Sequence, residues 1–161
     1  GWHLGEKQAW GKQTGWIHST QVPLIICAPG AKTNMLCDEP VSLLDLYPTL
    51  TELTGLPSRD LDGVSLANLI KNPKLKINRV VKTYITSDDY VLSGNRWRYI
   101  RYGDGGEELY DIKSDPREYR NLAGKNLHQK TIAQLHSRVR KAQRSLLPEI
   151  RNNDNKKNNG S

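Results

Sequence analysis

Gly1-Trp2-His3-Leu4-Gly5-Glu6-Lys7, then Trp10-Gly11-Lys12, then Val22-Pro23-Leu24-Ile25-Ile26-Cys27-Ala28-Pro29-Gly30 is the stretch whose reading decides the fold. Residues 1–20 mix polar, aromatic and glycine residues with no sustained period of two or of 3.6, which reads as loop with a helical turn. Residues 22–28 form a continuous apolar run bounded by Pro and Gly, the pattern of a short strand buried on both faces of a parallel sheet. Cys27, inside that run, reads as a core residue. In open α/β sheets the segments beside strand ends carry ligand chemistry. A His, an acid and two Lys gather just ahead of this strand, so candidate chemistry is sought there.

Working outward, Leu43, Leu46, Tyr47, Leu50 and Leu53 recur at helical spacing and Gly55 supplies a stop. With Asp45 as N-cap, Pro48 falls in the first turn, where its missing N–H costs nothing, and the expected helix is about 46–54. Capping accounts for Asp45 without a catalytic role. A short helix ending near Lys71 follows Asp62-Gly63-Val64-Ser65-Leu66.

Residues 80–112 change character. Val80–Thr86, Tyr90–Leu92, Arg96–Tyr102 and Glu108–Ile112 alternate polar and apolar side chains, with Ser93-Gly94-Asn95 and Gly103-Asp104-Gly105-Gly106 as turns between them. The pattern predicts an antiparallel meander. Aromatic residues fall on both faces of the 96–102 run, so one face is expected to pack on a helix and the other on a larger domain. Arg and aromatic interleaving can stack single-stranded nucleic acid, but no signature run of such readers is present, and cross-strand packing is the preferred reading. Ile132, Leu135, Val139, Ala142 and Leu146 form one apolar stripe on a terminal helix closed by Pro148.

Taken together, the opening stretch, Asp45-Leu46-Tyr47-Pro48-Thr49-Leu50, Leu53-Thr54-Gly55-Leu56-Pro57, Glu108-Leu109-Tyr110-Asp111-Ile112, Asp115-Pro116-Arg117-Glu118 and Asn121-Leu122-Ala123 resemble the C-terminal part of a sulfatase, of the branch that includes iduronate-2-sulfatase and choline sulfatase. The match covers about residues 1–125. It implies an α/β, alkaline-phosphatase-like fold, with residues 1–79 in the C-terminal part of the main domain. Residues 80–146 would form a small antiparallel-sheet and helix subdomain, and 147–161 a disordered basic, Asn-rich tail.

The resemblance implies hydrolysis of sulfate esters, with sulfated carbohydrate as the substrate class. It places Lys12 at the sulfate-contacting lysine and His3 at a substrate contact. It also implies formylglycine and Ca²⁺ in the parent enzyme, and an N-terminal part of that enzyme as partner. Neither cofactor is fully provided here: no Asp-His precedes Gly1, no N-terminal Asp cluster is present, and Cys27-Ala28-Pro29-Gly30-Ala31 lacks the Arg of a formylglycine motif. The isolated chain is therefore expected to be inactive, with no metal ligand of its own.

Composition sets bounds on this reading. Hydrophobic content of 36% and mean hydropathy of −0.69 are lean for 161 residues, which fits a piece that packs on a partner. No apolar run approaches the ~20 residues of a membrane span. The net charge of +7 is concentrated late, with Lys125, Lys130, Arg138, Arg140, Lys141 and Arg144 on or near the terminal helix. A solvated helix face is the plain explanation and nucleic acid is not the expected partner, although a polyanion-binding module is one alternative. A related phosphate mono- or diester hydrolase is another. His128 and His136, among these cations, are expected to be solvated; Glu6 and Lys7 are expected to pair or face solvent.

Overall fold

The computed structural model describes residues 1–57 and 59–145, with residues 140–145 as helix backbone alone. In chain order its strands and α-helices are β1 (His3–Leu4), β2 (Trp10–Gly11), α1 (Ile17–Thr20), α2 (Leu46–Leu53), α3 (Ala67–Lys71), β3 (Val81–Tyr84), β4 (Tyr90–Ser93), β5 (Trp97–Arg101), β6 (Glu107–Asp111) and α4 (Gln129–Ser145). The meander that the alternation predicts is there: β3, β4, β5 and β6 are hydrogen-bonded in chain order and all antiparallel. Register puts Leu92 opposite Tyr99 and Tyr99 opposite Leu109. Because side chains alternate across a strand, these three share one face. That face packs on Ala123 and on Ile132, Leu135 and Val139 of α4. Ala142 of the expected stripe lies where only backbone is described, and Leu146 lies outside the described residues, as does the tail.

The opposite face carries Val91, Ile100 and Tyr110, and it is covered in part by Trp16 from the loop at the start of the chain. The open edge of β6 is closed by Asn121, whose Oδ1 accepts from Leu109 N at 3.0 Å and whose Nδ2 donates to the Glu107 carbonyl. An edge capped in this way offers no free ladder to another strand. At the β5–β6 turn Gly105 sits at φ 97°, a left-handed conformation that glycine adopts without a Cβ penalty.

The segment before the sheet is built differently from expectation. Residues 22–28 form no strand, and Val22, Leu24 and Ile25 are exposed, Ile25 to 86%. A strand needs neighbours for its backbone groups, and no described residue pairs with this run. Cys27 is accordingly exposed rather than a core residue, and both Cys27 and Cys37 are free.

The helix at 46–54 is present as α2, but its cap is one turn earlier. Ser42 begins a 3-10 turn (Leu43–Asp45) that runs into α2, and Ser42 and Asp45 cap each other's backbone reciprocally. Asp45 is thus the third residue of the helical run and not its N-cap. The C-terminus ends as expected: Gly55 at φ 70°, with Leu56 N bonded to Thr51 O and Gly55 N to Glu52 O. The face of α2 is inverted relative to its pattern. Thr49 and Thr51 are buried, while Leu43, Tyr47 and Leu50 are exposed.

Thr49 explains the inversion, because its hydroxyl donates to Asp45 O and accepts from Leu66 N, tying α2 to the start of α3. Gly63 lets this layer close: a Cβ there would lie 2.0 Å from the Leu44 carbonyl oxygen.

Candidate functional site

The loop that carries the candidate residues starts as a two-stranded ribbon, β1 against β2, followed by the short helix α1. Between the ribbon strands the chain reverses through Gly5 at φ 115°, Lys7 at 56° and Gln8 at 59°. Two successive non-glycine residues in the left-handed region carry local strain, which neighbouring contacts must hold in place.

Lys12 follows Gly11 at the end of β2. It is exposed and makes no hydrogen bond or ion pair among the described residues. It borders an open cleft of about 990 Å³ whose wall also includes Lys32, Arg98 and Lys113 together with Asp38 and Glu39. Its ammonium is uncommitted, the state in which a cation can meet an incoming anion without first breaking an internal pair.

His3 is placed differently. It is fully buried, with its ring edge-on to Trp16 at 5.7 Å and to His18 at 5.4 Å. Nε2 lies 2.9 Å from Thr14 Oγ1, and that hydroxyl continues to Ser19 Oγ at 2.7 Å. Only Nδ1 lacks a hydrogen-bond partner. In this conformation the imidazole braces the loop from inside, and it does not share the exposed cleft wall with Lys12.

Lys7 neither pairs with Glu6 nor faces solvent. Glu6 accepts from Leu4 N, while Lys7 Nζ crosses to the sheet, donating to Tyr110 OH at 3.0 Å and to the Glu118 carbonyl, and lying 4.5 Å from the ring centroids of both Trp16 and Tyr110. Burial pushes the Lys7 ammonium below its ordinary value, and the carboxylates of Glu108 and Glu118 oppose that shift. Two cation–π contacts compensate part of the desolvation.

Glu118 is fully buried at φ 59°. Its Oε2 accepts from Ile17 N at 2.8 Å, at the start of α1. Its Oε1 lies 2.7 Å from Arg98 Nε, a charge contact whose N–H is aimed off the oxygen, so the attraction is electrostatic without an aligned hydrogen bond. Burial raises the Glu118 carboxyl above its ordinary value, against the opposing influence of Arg98, Ile17 N–H and Lys7. Arg98 Nη1 donates to Thr20 Oγ1 at 2.7 Å and to Ser93 Oγ at 3.1 Å. Trp16 Nε1 donates to Glu108 Oε2 at 2.6 Å, and Glu108 also accepts from Tyr102 and Tyr110 hydroxyls.

His128 and His136, expected to be solvated, are half-buried: His128 packs on Trp97, and His136 stands edge-on to Tyr90 and Tyr99. In the sequence Glu118 stands within a recognisable motif but shows no role of its own, and Arg98 does not stand out. The available signal was a buried-type position carrying charge: Arg98 alternates with apolar residues on a strand whose two faces are both covered.

A family model for the C-terminal region of N-sulphoglucosamine sulphohydrolase matches residues 5–145. The chain is 38% identical over 126 residues to a sulfatase of Formosa agariphila, covering 76% of this chain and 24% of that protein. It is 34% identical over 137 residues to arylsulfatase K of Bos taurus, covering 74% and 25%. A solved protein in complex with its substrate D-glucosamine-2-N,6-O-disulfate superposes with a TM-score of 0.50 at 22% identity, covering 63% of this chain and 24% of that one.

These matches define the class as the sulfatases, with their alkaline-phosphatase-like fold. The chain belongs to the N-sulphoglucosamine sulphohydrolase C-terminal family, and it spans about a quarter of the length of the curated relatives it matches.

The family implies formylglycine and Ca²⁺ in general. The described residues do not fit either group: no three His, Cys, Asp or Glu side chains converge on a metal position, and Cys27 is followed at the fourth place by Ala31.

Proposed function

We propose that this chain works as the C-terminal part of a sulfate-ester hydrolase, in which Lys12 contacts the sulfuryl oxygens. The observation that carries the reading is an exposed lysine at the cleft with no polar partner among the described residues, on a loop that side chains of the sheet hold in place. Sulfuryl transfer moves negative charge onto the departing oxygen and keeps it on the others. A cation beside them stabilises the transition state more than the ground state when bound substrate excludes water. Nucleophile and Ca²⁺ would be supplied by the N-terminal part of the enzyme.

The substrate class is sulfated carbohydrate, in keeping with the N-sulfated sugar for which the family is named, and the opening stretch with Asp115-Pro116-Arg117-Glu118 supports kinship to the iduronate-2-sulfatase and choline sulfatase branch. For His3, proposed as a substrate contact, Nδ1 is the ring nitrogen left without a partner among the described residues and so the atom available to a substrate hydroxyl. The domain division at 79/80, with 147–161 as tail, is part of the same proposal.

The test is turnover by the full-length protein of N-sulfated and O-sulfated glucosamine, p-nitrophenyl sulfate and p-nitrophenyl phosphate. Sulfate release from the sugars at the highest kcat/KM is expected. Preference for the phosphate ester would replace the reading with a phosphate-ester hydrolase.

A further inference from the structure

The loop bearing Lys12 is held at both ends by side chains of the antiparallel sheet and of the turn after it. On one side of Lys12, Lys7 reaches Tyr110 OH and the Glu118 carbonyl. On the other side, Trp16 is bonded to Glu108, Ile17 N to Glu118, and Thr20 to Arg98. These partners lie between 78 and 111 residues away in sequence, so none of the contacts is a by-product of local folding. Gly15 closes against the same surface, where a Cβ would come within 2.9 Å of Ile100. Lys12 is exposed and makes no polar contact of its own among the described residues, so its backbone is placed by the ribbon pairing of Gly11 with His3 and by these flanking attachments, which anchor the loop to the sheet.

The geometry points to Lys7, Arg98, Glu108 and Glu118 as positioning residues that fix the loop around Lys12, making the antiparallel subdomain the aiming device of the site. This rests on reading Lys12 as the sulfate contact. It assigns the small subdomain a part in the reaction, through the loop and not through substrate. A displacement of about 1 Å in a catalytic group costs on the order of a hundredfold in rate, so loosening either attachment should register in kcat.

The full-length protein is tested with two mild variants, Lys7→Met and Thr20→Val, and one strong variant, Glu118→Gln. Hydrogen exchange of residues 5–20 is compared with that of 90–111. Arg96→Gln, which alters a pair with Asp111 on the same sheet away from the loop, is the control. The mild variants should raise exchange in 5–20 by about tenfold and leave 90–111 unchanged. They should lower kcat for the sulfated sugar by about ten- to a hundredfold with KM nearly constant, as expected when alignment in the transition state is lost.

Unchanged loop exchange, equal rises in both regions, or unchanged kcat in a loosened loop would each overturn the inference. Failure of the underlying reading looks different: Lys12→Ala would then leave kcat intact, whatever the loop exchange shows.

Discussion

Asp45 is the residue whose role is most fully explained by its surroundings. Its buried carboxylate accepts from Ser42 N and Val64 N and is gripped by both terminal nitrogens of Arg79, at 2.6 and 2.9 Å. A local structural role for the acid was legible from the sequence, though as N-cap of 46–54 rather than as the partner of Ser42 one turn earlier, and Arg79, thirty-four residues on, was not, because nothing local distinguishes it from a surface arginine. Removing one member of a buried pair leaves the other charged and desolvated. Arg79→Met is therefore expected to cost about 3–5 kcal/mol, read as a drop in the urea midpoint, and Arg79→Lys to recover only part because it lacks the bidentate fork.

Asp111 gives a pH prediction at the same scale. The hydrogen bond from Arg96 holds its carboxyl below the ordinary value of 3.8, with Lys113 N and Ser114 acting in the same direction and burial against them. A depressed folded value means the stabilisation is present above the unfolded value and is lost as pH falls through the folded one. Arg96 is largely exposed, so the effect is small and screened by salt. Asp111→Asn should lower stability slightly at pH 7 and make the acid limb below about pH 4 shallower, seen by circular dichroism during acid titration.

At the scale of elements, the meander was legible nearly residue by residue, because alternation and glycine turns are local signals and both faces are filled. Helix α2 was legible in extent and in its glycine stop but not in orientation. Its leucines face out and its threonines in because Thr49 bonds to Leu66 N at the start of α3, a tertiary fact invisible in the helical period. The run 22–28 shows the opposite failure: its composition suits a strand, yet a strand exists only where another backbone pairs with it. The junction of α2 and α3 is tight at Gly63, and Gly63→Ala should destabilise by about 1–3 kcal/mol through overpacking against Leu44 O, measurable as a lowered thermal midpoint.

Over the whole molecule, Ile25, Leu36, Leu43, Leu44, Tyr47 and Leu50 are exposed on the part before the sheet, with Leu36 at 90%. Large exposed apolar side chains in this number are what a surface covered by a partner would leave bare. In the proposed enzyme it is covered by the N-terminal part, so Ile25→Asp and Leu50→Asp should each destabilise the full-length protein by roughly the 1.5–3 kcal/mol of burying such a side chain or more. Wild-type stability in both variants would mean that this face meets solvent.

Lys12 is proposed from its place in a motif, whereas the contacts that hold its loop could not be read from the sequence, since they join residues between 78 and 111 apart. Because the account hangs on that lysine, the most direct measurement is kcat for sulfate release from a sulfated glucosamine by full-length wild type and Lys12→Ala, with unfolding midpoints matched. A fall of about 10²- to 10³-fold, as for loss of one transition-state donor, is predicted; an unchanged kcat would contradict the account.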